Sequence, residues 1–243
     1  MKIPKRINPD NLKDSIVQVL FNPGIAPELV LGSFNYILSD TFKFIAASPK
    51  RREVKVSETE GLIIDQLERG FFIDKTEKVK VDVSATAIVF NLYKKYVGWE
   101  IYFPIIQSTI GELFDSNIIK EVNRVGIRYI SQFDNISLID NLHMSLAINI
   151  PNKNLEATQV RSEYRDDSFR VILTLINKIN SAQPAKNESS NTSIIDIDVI
   201  QLGNNLHTTG SVLECIEKGH KKQKETFFAL LKPDFLESLH PEY

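Results

Sequence analysis

The chain has 243 residues, of which 42% are hydrophobic and 25% charged, a balance that belongs to globular proteins and excludes disorder as the main state. Its formal net charge of −2 supplies no global attraction for nucleic acid or an anionic membrane, so either would need a local basic patch. Cys215 is the single cysteine, which excludes an intramolecular disulfide and a cysteine zinc cage and fits a reducing compartment. Met1-Lys2-Ile3-Pro4-Lys5-Arg6 has no apolar run behind its charges, and no stretch reaches the roughly 18 apolar residues of a membrane span. The expectation is a soluble, cytoplasmic protein with no membrane partner.

Asp14 to Phe21 reads as a strand, closed by the turn signal Asn22-Pro23-Gly24. A helix follows, with Pro27 in its first turn and Leu29, Val30, Phe34, Ile37 and Leu38 on its core side. Strands are then predicted at 42–45, 61–73, 79–83 and 87–90, with Lys50-Arg51-Arg52 in a solvated loop between the first two. From Trp99 the spacing turns helical through Tyr102, Phe103, Ile106, Ile110, Leu113 and Phe114. Because proline belongs to a first turn, Pro104 sets the expected start near Phe103 and leaves Trp99 in the approach, packed toward the core.

Ile118 to Phe133 reads as a long strand. Three more are expected at 145–150, 155–164 and 169–179, the last two joined by a tight turn at Arg165-Asp166-Asp167-Ser168. Asn180 to Ser193, almost without apolar residues, reads as a flexible hairpin loop before a last strand at 194–200. A terminal helix then runs from Thr208 or Thr209 to Leu231, with Pro233 ending it; its ends are apolar and its middle, Glu217 to Thr226, is charged.

Side chains alternate along a strand, so Arg124, Gly126 and Arg128 share one face and Val125, Ile127 and Tyr129 the other. Two guanidinium forks flanking bare backbone suit a carboxylate or phosphate, or the close approach of another chain. Asp196 and Asp198 likewise share one face of the last strand, and could pair with those arginines in a structural ladder, which is the preferred reading. Asp-Xaa-Asp also occurs in metal-dependent nucleotidyl transfer, but no third acid stands at a recognisable spacing, so no metal is expected there. His143, His207, His220 and His240 include no helical metal pair, and His220 is assigned to packing. No nucleophile elbow, P-loop or dinucleotide fingerprint occurs, so no cofactor and no catalytic residue is expected. Lys218, Lys221, Lys222 and Lys224 are interrupted by acids and lack interleaved aromatics, which points to a solvated helix face rather than a nucleic-acid groove.

Tyr96-Val97-Gly98-Trp99, Arg124-Val125-Gly126-Ile127-Arg128-Tyr129-Ile130 and Ile195-Asp196-Ile197-Asp198-Val199, followed by a last helix with paired phenylalanines, together resemble a family of uncharacterised prokaryotic proteins of about this length, sporadically distributed among bacteria and archaea. Ser131, where that family has asparagine, and Pro104 depart from its pattern. The resemblance implies an α+β protein and no mechanism. The expected fold is α+β, a largely antiparallel sheet with about three packed helices and a first half resembling an elaborated ferredoxin-like arrangement. It is expected as one unit over 1–243, with subdomains at 1–133 and 144–243. The sporadic distribution suggests a non-enzymatic binding or adaptor component of a prokaryotic multi-protein system, such as phage defence or a toxin–antitoxin pair. Its partner would be a neighbouring gene's product or a second copy. The alternatives are a nucleic-acid-binding or nucleic-acid-processing protein using the arginine face, and a small-molecule phosphate enzyme. Arg124, Gly126, Arg128, Asp196 and Asp198 are the candidate ligand or partner-binding residues.

Overall fold

Alternation of apolar and polar residues builds most of the architecture. The computed structural model describes residues 2–57, 61–146, 157–181, 190–202 and 206–243, with the backbone alone described at 49–57, 61–68, 179–181 and 190. Nine strands, β1 (Leu12–Pro23), β2 (Phe42–Ser57), β3 (Gly61–Asp74), β4 (Val79–Ser84), β5 (Ala87–Leu92), β6 (Ile119–Asp134), β7 (Thr158–Asp166), β8 (Phe169–Ser181) and β9 (Ser190–Leu202), form one antiparallel sheet in the order β2-β3-β4-β5-β1-β6-β9-β8-β7. Five helices accompany them among the described residues: α1 (Pro27–Ile37), α2 (Trp99–Asp115), α3 (Leu138–Asn141), α4 (Thr209–Leu230) and α5 (Pro233–Ser238). The α+β class and the antiparallel sheet agree with the sequence reading. The helix count exceeds it by α3 and α5, which span four and six residues, too short to show a periodic stripe. No helix among the described residues is long and apolar enough to cross a membrane.

The chain forms two compact units, each drawn from separated stretches. Unit 1 takes Met1–Ser15, Ile127–Gln201 and Glu217–Tyr243, and unit 2 takes Ile16–Gly126 and Leu202–Ile216. In unit 2, α1 buries Val30 and Phe34, and Phe34 packs on Phe42 and Phe72 with ring centroids 5.9 and 4.7 Å apart. Leu29 does not join that stripe: it is 59% exposed, because one residue before Val30 it points about 100° away around the helix.

Helix α2 starts at Trp99, upstream of the expected Phe103. Gly98 takes φ +89°, a conformation open to glycine, and its carbonyl accepts the Tyr102 N–H at 3.0 Å, so the first turn forms before Pro104 is reached. Pro104 then lies inside the helix on an exposed side. Trp99 is half-buried rather than fully packed, stacked on Phe103 at 5.2 Å. Lys50-Arg51-Arg52 is not a loop either: it lies within β2, next to an irregularity in register between Ser48 and Arg51.

In unit 1 the β7–β8 turn is tight as expected, with Asp166 opposite Phe169 and Asp167 at φ +53°, where aspartate is tolerated. The strand expected at 145–150 lies outside the described residues from 147 on. Of the loop expected at 180–193, the ends belong to β8 and β9, and 182–189 lie outside the described residues. Pro233 opens α5 instead of merely ending α4, since its missing N–H costs nothing in a first turn. The charged middle of α4 keeps an inward face through Gly219 and Gln223, both buried. A Cβ at Gly219 would run into Ile127 Cδ1, so glycine there lets the helix backbone close on the sheet.

Candidate functional site

The predicted residues of β6 separate into two environments. Arg124 lies in unit 2, where its Nη1 donates to Gln18 Oε1 at 2.5 Å, and Gly126 is buried. Arg128 lies in unit 1 and reaches Asp196 on β9 with two bonds, Nε to Oδ1 at 2.9 Å and Nη2 to Oδ2 at 2.7 Å. This fork-on-carboxylate geometry satisfies both groups at once. Hydrogen bonding to the Asp196 carboxylate raises the Arg128 pKa most; desolvation opposes it, and the negative charges of Asp196, Asp198 and Asp14 add to the rise. The guanidinium therefore stays charged.

Strand register carries the network further. Ile172 on β8 faces Asp198 on β9 and Glu163 on β7, so all three share the Asp196 face of unit 1. Arg170, two residues before Ile172, is on that face too, and donates to Glu163 through Nε at 2.5 Å and Nη2 at 2.7 Å. The hydrogen bond with Arg170 is the main cause that lowers the Glu163 pKa, with Arg161 and Arg165 assisting; Arg170 is raised chiefly by the same bond, and Asp198 adds to it. Acid and base thus alternate across β6, β9, β8 and β7. The sequence reading did not single out Glu163, Arg170 or Asp14. The first two were findable once the hairpin turn was placed, because a two-residue turn sets the register of every pair behind it.

The opposite face of the same strands packs against α4. Tyr129 Oη meets His220 Nδ1 at 3.1 Å, and burial, helped by Lys224, pushes the His220 pKa down to about 3. That ring is neutral at physiological pH and serves packing. Lys222 Nζ bonds Asp166 at 2.7 Å, Lys224 Nζ bonds the Lys5 carbonyl at 3.0 Å and Lys221 Nζ lies 3.9 Å from Glu225, so these helix lysines are occupied within unit 1. Among the described residues no group of three or more His, Cys, Asp or Glu side chains is placed to hold a metal ion.

In unit 2 an apolar surface appears that includes Leu29, expected on the core side of the helix, and Tyr36, which the sequence does not single out. Leu29 and Tyr36, two turns apart on α1, are 59% and 83% exposed, and between them a Cβ on Gly32 would meet open space. No family model matches the chain, and no curated protein sequence matches it.

Proposed function

We propose that this protein is a non-enzymatic binding component whose partner is another protein, held on the outer face of α1. The observation that carries the proposal is the exposure of Leu29 and Tyr36 two turns apart on one helix ridge, with Gly32 leaving the backbone between them accessible. Large apolar side chains clustered on one ridge recur where a partner covers them, and tyrosine is enriched at such contacts. The charge pattern of unit 1 supports the same reading, since Arg128 and Arg170 are each committed to a carboxylate by two bonds and are not held open for an incoming anion. An adaptor role in a cytoplasmic prokaryotic multi-protein system, of the phage-defence or toxin–antitoxin kind, fits a chain that acts through surfaces. The order β6-β1-β5-β4, with α1 and α2 as the crossings, supports reading the first half as a ferredoxin-like arrangement extended by the β2–β3 hairpin.

Capture of the tagged protein from its native host, with analysis of both protein and nucleic acid in the bound fraction, tests the proposal. A stoichiometric protein partner and no nucleic acid is the expected outcome. Bound nucleic acid without a protein partner would replace this reading with the nucleic-acid alternative.

A further inference from the structure

Strand β7 is the outermost strand at its end of the sheet: β8 pairs with it along all nine residues, and among the described residues no strand pairs with its other edge. Such an edge presents a row of N–H and C=O groups to any extended chain, and charge on an edge ordinarily discourages pairing. On β7 the charges have a different arrangement. In an antiparallel pair related by a two-fold axis, residues equally distant from the axis stand opposite each other on the same side of the sheet.

With the axis at Ser162, Arg161 meets Glu163, Gln159 meets Arg165, Val160 meets Tyr164 and Thr158 meets Asp166, while Ser162 meets itself. By symmetry each of the unlike pairs occurs twice. The ion pairs fall on one face, and the apolar and hydroxyl pairs on the other, which are favourable cross-strand combinations. Moving the axis to Arg161 sets that arginine against itself; moving it to Glu163 sets that glutamate against itself and Arg161 against Arg165. An axis at Tyr164 would also set Glu163 against Arg165, but it pairs only residues 162–166 of β7, whereas the axis at Ser162 pairs all nine; charge and paired length together select the Ser162 register.

The side chains are ready for these contacts. Arg161 and Arg165 are exposed, and neither makes a hydrogen bond or ion pair within the described residues, although both draw on the charge of Glu163. Glu163 holds Arg170 with one bond to each oxygen, and a carboxylate accepts further donors at its remaining lone pairs. Tyr164 is 40% exposed, which leaves its ring open to a cross-strand neighbour.

We infer that two copies of this chain pair antiparallel along β7 about a two-fold axis at Ser162, with Arg161 of each copy matched to Glu163 of the other. This interface is independent of the α1 surface. Sedimentation of the full chain tests it through two charge reversals. Arg161→Glu makes the strand acidic at both positions and Glu163→Arg makes it basic at both, so each variant alone should dissociate at least about tenfold more readily than the wild type. An equimolar mixture of the two should form a heterodimer, because acidic and basic side chains then face each other at positions 161 and 163. That recovery also shows that neither variant failed to fold. A wild type that is monomeric at about 100 μM, far above a micromolar dissociation constant, overturns the inference. So do reversals that leave the dimer intact, or a mixture that forms no heterodimer.

Discussion

At the scale of single residues, Arg128 and Asp196 differ in exposure, 45% for the arginine side chain and 16% for the aspartate, and this sets what each substitution does. An exposed ion pair contributes on the order of 1 kcal/mol or less, whereas removing one partner leaves a largely buried group unsatisfied at a cost of about 1–3 kcal/mol. Arg128→Met should therefore destabilise the protein more than Arg128→Met combined with Asp196→Asn. Chemical denaturation of the variants gives the coupling energy, and a value of zero would mean that the pair is not structural. Gly219→Ala meets opposed effects. Alanine gains about 1 kcal/mol of helix propensity, but its Cβ would strike a fully buried Ile127, and overpacking costs about 1–3 kcal/mol. Net destabilisation is expected, and Ile127→Val, which removes the obstructing methyl, should recover part of it in the double variant.

His220 adds a pH dependence whose direction follows from its lowered pKa. Between about 6.5, its ordinary value, and about 3 in the folded protein, the unfolded chain binds a proton that the folded chain does not. Stability consequently falls as pH drops through that window, by at most about 1.4 kcal/mol per pH unit from this group. Denaturation midpoints of His220→Gln should be flatter than wild type between pH 6.5 and 5. An identical slope would show that His220 is not buried in the neutral form.

At the scale of elements, Pro104 offers the sharpest test. Its ring occupies the interior of α2, where proline removes the hydrogen bond to the Glu100 carbonyl and costs about 3 kcal/mol relative to alanine. Pro104→Ala should raise the denaturation midpoint, by about 1–3 kcal/mol once relaxation of the existing helix is allowed for. A loss of stability would mean that the proline shapes a bend the packing requires. The same helix shows how far the sequence was legible. Its apolar stripe Tyr102, Ile106, Ile110 and Leu113 was readable and is buried, but its start was not, because a proline rule outweighed a glycine whose positive φ only the structure reveals. The long strand β6 and the β7–β8 hairpin were legible through alternation and turn chemistry. Lys50-Arg51-Arg52 was misread because three adjacent charges carry no period. The candidate site was half legible. Alternation put Arg128 and Asp196 on matching faces, yet nothing local distinguishes Arg124, which bonds Gln18, from Arg128, since the partner is fixed by strand order.

At the scale of the whole molecule, the two units are assembled from stretches separated in sequence, and a unit of that kind leaves no compositional boundary for a linear reading to find. Apart from the β7 edge, each unit carries one surface with a role. In unit 1 the Arg128 face is closed by its own ion pairs, and in unit 2 the α1 ridge with Leu29 and Tyr36 is open. The central claim is that the protein binds a partner through the α1 ridge and uses the arginine face for structure. The most direct measurement is quantitative capture from the native host by three forms whose folding has been verified by circular dichroism: wild type, Leu29→Glu with Tyr36→Glu, and Arg128→Met. The account predicts that the wild type and Arg128→Met retain the partner equally and that the α1 double variant loses it. Retention by the double variant together with loss in Arg128→Met would contradict it, and would make the arginine face the binding site.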